Sequence, residues 1–192
     1  MTLKRNFILL LCTTLGIVVF ICQVGCGPSP DTRANKNPNS PQRTIHEAAF
    51  LGDQKLMQAH IAAGTDLNQK DDFGSTPLII ATTFGKTAVA KQLIGAGADI
   101  NATGADGGTA LHGAAFYCRT EILAALLANG ADLNIRNQYQ ATALESVAAS
   151  FADVKMAYDQ ISEDLGPLGF KLDYDYLKAT RPQVAEMIRQ AQ

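Results

Sequence analysis

The middle of this chain repeats itself every 33 residues, a period that belongs to stacked supersecondary units and to little else. Gly64-Thr65-Asp66-Leu67-Asn68 returns as Gly97-Ala98-Asp99-Ile100-Asn101 and again as Gly130-Ala131-Asp132-Leu133-Asn134. Thr76, Thr109 and Thr142 keep the interval, as do Leu78, Leu111 and Leu144, and Ala48, Ala81 and Ala114. One such unit cannot bury its apolar face alone, so each depends on its neighbours and the array extends in one dimension. Arrays of this kind mostly bind.

The second unit shows the local logic. In Gly74-Ser75-Thr76-Pro77-Leu78 a hydroxyl stands at a helix N-cap and a proline at the first helical position, where its missing N–H does no harm. Small residues Ala81 and Thr82 allow a neighbouring helix to approach, and Gly85 marks a stop. A second helix from about Thr87 carries Val89, Leu93 and Ile94 on one face, and Gly97 follows its end as a left-handed residue should. The Ala-Asp-Ile-Asn segment and the Gly-rich turn after it predict an extended, hairpin-like connection to the next unit.

Helix, tight turn, helix, hairpin: this resembles the ankyrin repeat, with its Thr-Pro-Leu-His start and Gly-Ala-Asp-x-Asn end. The resemblance implies an all-α repeat fold, an α-solenoid in which helix-turn-helix units are joined by β-hairpin-like loops. It covers residues 43–137 as three units, with a fourth begun at Gln138. The third unit, with Thr109-Ala110-Leu111-His112 and Glu121-Ile122-Leu123-Ala124-Ala125-Leu126-Leu127, matches closely. Arg43-Thr44-Ile45-His46 opens the first unit as an N-terminal cap. Ile79 and Glu145 replace the motif histidine, and Cys118 replaces the inter-helix glycine.

The fourth unit departs most. Thr142-Ala143-Leu144-Glu145 is expected to continue through Val147, Phe151, Val154 and Tyr158 as one longer helix. The second-helix pattern returns at residues 182–189, where Val184, Met187 and Ile188 take the places of Leu123, Leu126 and Leu127. About thirty residues are thus inserted near 150–180, by the repeat alignment. The division is then a leader over 1–25, a linker over 26–42, and a repeat domain over 43–192 with repeats near 43–70, 71–103, 104–136 and 137–192.

The leader begins with Lys4 and Arg5, runs uncharged over residues 7–21, and ends in Val24-Gly25-Cys26. That is the layout of a secretory signal peptide. Counting on to Gly25 gives 19 uncharged residues, which leaves open an uncleaved signal anchor. The leader's end resembles the lipobox of bacterial lipoproteins, although Gln23 stands where that family has leucine. The resemblance implies a lipid on Cys26, and Gly27 rather than aspartate favours the outer membrane, with the domain facing the periplasm. Residues 27–43 contain four prolines, three asparagines and no large apolar side chain, which predicts a disordered tether. A coil of this length spans roughly 20–25 Å.

Charge excludes one class of partner. Lys and Arg number 16 against 18 Asp and Glu, and loss of Lys4 and Arg5 with the leader leaves 14 against 18. Nothing basic enough remains to neutralise a nucleic-acid backbone. Of four cysteines only Cys118 lies in the repeats, so no disulfide framework follows.

No catalytic constellation, cofactor motif or metal site emerges. His46 and His112 hold equivalent positions two repeats apart, roughly 16–20 Å at ordinary helix spacing, too far for one metal. A repeat histidine is expected to bond a threonine hydroxyl and nearby backbone. Asp159, Glu163, Asp164, Asp173 and Asp175 lack the spacing of a calcium loop and read as a solvated face. Cation or small-ligand binding by the insertion stays an alternative to that.

By resemblance, partners dock on the concave face made by first-helix ends and hairpin tips. The helix ends here are Phe50 and Leu51, Thr83 and Phe84, Phe116 and Tyr117, then Ala149 and Ser150. The tips add Asp72, Phe73, Asp106 and Tyr139. Aromatic anchors among scattered acids suit a protein-binding surface. Inward packing of Phe50, Phe84 and Phe116 as core is the alternative, whereas Tyr117, Phe73 and Tyr139 are expected to be exposed. The sequence therefore reads as a lipid-tethered, non-catalytic module that binds another protein. Fold-level analogy offers a second role, support of a periplasmic catalase-type enzyme.

Overall fold

In a computed structural model the described residues are 41–192; the leader, Cys26 and nearly all of the linker lie outside them. The described residues form nine α-helices and one 3₁₀ turn, with no β-strand among them. The first helices of the successive units are α1 (Ile45–Leu51), α3 (Pro77–Thr83), α5 (Ala110–Phe116) and α7 (Ala143–Ala148). Behind them lie α2 (Gln54–Ala62), α4 (Thr87–Gly95) and α6 (Thr120–Ala128).

The repeated threonine is a repeated helix start. Thr44, Thr76 and Thr142 each accept a hydrogen bond from the backbone N–H three residues on. Glu47 and Glu145 reach back to the N–H of Thr44 and Thr142, closing two capping boxes. Each cap contributes about 1 kcal/mol. Ala48, Ala81 and Ala114 are wholly buried where first helices pack on one another, α1 on α3, α3 on α5 and α5 on α7. Second helices stack likewise through Met57, Leu93 and Leu126.

The Gly-x-Asp-x-Asn signature has a clear cause. Each aspartate accepts from the N–H of the asparagine two residues on: Asp66 from Asn68, Asp99 from Asn101, Asp132 from Asn134. The asparagine then bridges to the next unit. Asn68 Oδ1 accepts from Asp99 N at 2.7 Å, and Asn101 Oδ1 from Asp132 N at 2.8 Å. Between units the expected hairpin is reduced to a single antiparallel bridge, Thr103 to Thr109, with turns held by Asp71 and Asn137.

The last unit corrects the sequence reading. The long helix expected from Thr142 through Tyr158 is broken, because Ala149 and Ser150 are extended and Ser150 caps a new helix, α8 (Phe151–Leu165), by accepting from Asp153 N. Nor does the final helix begin at Pro182. Asp173 caps α9 (Tyr174–Arg189), which carries Pro182 in its interior. α9 packs chiefly on α7 and also on α5 and α6, with Val184 and Ile188 fully buried. Between α8 and α9 a 3₁₀ turn, Gly166–Leu168, leads into a short extended segment ending at Asp173.

Candidate functional site

The ends of the first helices bring the aromatics of successive units into line, and the insertion joins that line. Phe50 meets Phe84 edge-on, ring centroids 4.7 Å apart, and Phe116 meets Tyr117 at 5.3 Å. Phe170, from the segment after the 3₁₀ turn, bridges the two pairs, 5.7 Å from Phe84 and 5.5 Å from Tyr117. On the far side Tyr158 of α8 lies 4.5 Å from Phe116, and its hydroxyl donates to Phe116 O at 2.6 Å. The insertion thus packs over the first-helix ends of the second and third units.

That covering corrects the exposure expected of Tyr117, which is only 7 % accessible. Burial raises its phenol far above the ordinary range, an effect that the nearby Arg119 cation only partly opposes. Phe50, Phe84 and Phe116 are half-buried, between the two readings given for them; Phe84 and Phe116 pack against the core, and Phe50 against Phe84. Leu51 and Phe73 stand free at 49 % and 43 % exposure, with Asp72 exposed beside Phe73. Thr83 contributes its carbonyl, which accepts from Arg119 Nη2 at 3.2 Å. Asp106 holds its own turn through Gly108 N and is half-buried, as is Tyr139.

Where the insertion stops short, a half-open pocket of about 360 Å³ remains. Its apolar surface comes from Phe50, Leu51, Phe84, Leu168 and Phe170. Its charged lining is Lys86, Arg119 and Lys171, with no acid among the lining residues. Lys86 and Arg119 are equivalent residues of adjacent units, the N-caps of α4 and α6. Each leans on the left-handed glycine of the unit before it. A Cβ on Gly52 would meet the Lys86 stem at 2.9 Å, and one on Gly85 the Arg119 guanidinium at 3.0 Å. Arg119 also lies over the rings of Tyr117 and Phe170, at 6.0 and 5.9 Å, and its buried Nε has no hydrogen-bond partner.

The third unit has no such shelf. Cys118 occupies the left-handed position at φ 53°, with its Sγ buried against the carbonyls of Ala115 and Leu177. Burial pushes its thiol up to about 11 against the opposing pull of Arg181 and Arg119, so at neutral pH it is not a thiolate nucleophile.

The histidines are structural. His112 Nδ1 accepts from Thr109 N at 3.1 Å and contacts Thr109 Oγ1 at 3.0 Å, and Nε2 donates to Ala141 O at 3.1 Å. His46 Nε2 is bonded to Gln69 O, and His60 spans Thr65 Oγ1 and Arg43 O. Asp159 pairs with Lys155 and Asp173 caps α9. Among the described residues no group of three potential metal ligands converges, and no helix is long and apolar enough to cross a membrane.

Sequence reasoning missed Phe170, Lys86, Arg119 and Lys171. The 33-residue interval from Lys86 to Arg119 carried a signal for two of them. Residues 45–137 match the family model for ankyrin repeats, in three copies. No curated protein matches the chain.

Proposed function

Because the stack over residues 45–137 is built of ankyrin repeats, we propose that the chain is a protein-binding module without catalytic activity, held at a bacterial envelope membrane through a lipid on Cys26. The observation that carries the binding role is the exposed apolar surface of the first two units. Leu51 and Phe73 are large and exposed and belong to successive units, and Leu51 borders the open pocket. Solvent-facing side chains of this size on a rigid scaffold are the composition of a docking patch. The partner therefore engages the face of the first two units, where Leu51 and Phe73 remain exposed. The membrane role is supported by the basic start, the apolar run and the Val24-Gly25-Cys26 ending of the leader.

Two measurements test this. The full-length chain and a Leu51→Ser/Phe73→Ser variant are used to capture proteins from the native envelope. A specific partner lost in the variant, with an unchanged melting temperature, supports the reading; equal capture refutes the assigned face, and absence of any specific partner refutes the module. Cys26→Ser is expected to release the chain from membranes on fractionation, and retention would point to the uncleaved anchor.

A further inference from the structure

The pocket between the first-helix ends and the insertion combines features that an ordinary surface does not. Three cations from three different elements line the pocket beside five apolar side chains, and among the described residues none of the three is in an ion pair. Arg119 is the most telling. Its guanidinium is half-buried against two aromatic rings, makes one hydrogen bond to Thr83 O, and leaves a buried Nε without a partner. Burying a cation away from an anion is costly, and an incoming carboxylate would offset that cost through charge-assisted hydrogen bonds.

The chain's own N-terminal segment does not fit. Residues 1–40 carry Lys4, Arg5, Arg33 and Lys36 against the single acid Asp31, so their charge matches that of the pocket. A single fatty acid fits poorly as well. It brings one negative charge to three cations. Spacing favours a peptide. Lys86 and Arg119 cap neighbouring stacked helices, whose axes are roughly 8–10 Å apart. In an extended chain, which rises about 3.3 Å per residue and turns alternate side chains to one face, carboxylates at positions i and i+4 share a face with the side chain at i+2 and lie about 13 Å apart, a difference that long cationic side chains take up.

We infer that this pocket takes an acidic-apolar segment of a partner protein, an extended stretch with carboxylates four residues apart that pair with Lys86 and Arg119 while the apolar side chain midway between them rests on Phe50 and Phe84. Lys171 on the insertion closes over the same segment. The inference rests on the reading of the chain as a protein-binding module and gives that module its specificity.

The test uses the full-length chain and a dye-labelled Glu-Ser-Phe-Ser-Asp amide, followed by fluorescence anisotropy. A Gln-Ser-Phe-Ser-Asn amide and dodecanoate as competitor run beside it, and the protein variant is Lys86→Gln/Lys171→Gln, which removes two surface charges that make no ion pair. The acidic peptide is expected to bind, to weaken with salt, and to lose about tenfold or more in affinity in the variant at unchanged melting temperature. The neutral peptide is expected not to compete. Equal binding of the two peptides, equal binding by the two proteins, or no binding at millimolar peptide would overturn the inference. Occupation by dodecanoate instead of peptide would overturn it in favour of a fatty acid. If the acidic peptide fails while envelope capture still yields a partner sensitive to Leu51→Ser/Phe73→Ser, this inference falls and the protein-binding reading stands.

Discussion

Arg181 Nη1 donates to the Tyr158 hydroxyl at 2.7 Å, and through that bond the final helix is locked to the helix that crosses the concave face. Nη2 of the same guanidinium donates to Ser146 O and Ala149 O, at 3.1 and 2.9 Å, where α7 ends. Tyr158 passes the chain of bonds on to Phe116 O. A cation with only 3 % exposure is thus held by neutral oxygens in place of a carboxylate. Burial pushes the Tyr158 phenol up to about 12, against the pull of Arg181, so the hydroxyl stays protonated as a donor.

Removing this clamp leaves the buried Tyr158 hydroxyl and two part-buried carbonyls with fewer donors. Arg181→Met is expected to destabilise the chain by about 3 kcal/mol, at about 1 kcal/mol or more for each lost bond. Arg181→Lys should recover only a minor part, because an ammonium cannot reproduce the fork. Urea unfolding of the three proteins decides this; a loss below 1 kcal/mol in Arg181→Met would show the clamp to be ornamental.

Cys118 reverses an ordinary preference. Its φ of 53° strains any side chain, so glycine gains there what its missing Cβ saves, about 1 kcal/mol. Cys118→Ala keeps the strain and loses the packing of the thiol. We expect Cys118→Gly to melt above Cys118→Ala, and the opposite order in thermal scans would contradict the backbone assignment.

Two glycines separate strain from crowding. Gly64, at φ 67°, has nothing within 4 Å of a built Cβ, whereas Gly85, at φ 64°, has the Arg119 guanidinium at 3.0 Å. Gly64→Ala is expected to cost the strain alone, about 1 kcal/mol. Gly85→Ala should cost more and also displace Arg119, weakening capture of the acidic peptide. Denaturation and anisotropy on both variants give the comparison; equal effects on binding would detach Arg119 from the pocket.

His112 ties stability to pH. Burial lowers its folded-state pKa below the ordinary 6.5, outweighing the hydrogen bond to Ala141 that acts the other way. The folded chain therefore holds fewer protons than the unfolded chain as the pH falls through 6.5 towards the depressed value. The stabilisation is present above 6.5 and is lost through that window on acidification. His112→Gln should flatten this part of the profile in melts taken between pH 7.5 and 5, and an unchanged slope would place the proton uptake elsewhere.

Much of this architecture was legible because its causes are local. A threonine cap, a proline at the first turn and an Asp-x-Asn turn act over three residues, and the 33-residue register aligns Phe50 with the Thr83 and Phe84 pair without any coordinates. The break at Ser150 was not read, since Val147, Phe151, Val154 and Tyr158 keep helical spacing straight across it. The signal lay instead in Ser150 and Asp153, a cap pair within an apparently continuous pattern. Phe170 had no signal at all. It reaches the concave face by packing 53 residues away on Tyr117, from a segment with no counterpart in the other units. Tyr117 was accordingly misjudged, because nothing in its own unit buries it.

The seams between units differ in what they would tolerate. At the first two, a cation rests on a left-handed glycine and an asparagine bridges forward, so a further unit copied in there would meet the same partners on both sides. After the third, the glycine is Cys118, sealed beneath Leu177, while Phe116 is bound to Tyr158. A copy inserted at that point would pull both contacts apart. The array is extensible upstream and finished downstream, and any lengthening of its partner surface in descendants of this chain has one end from which to proceed.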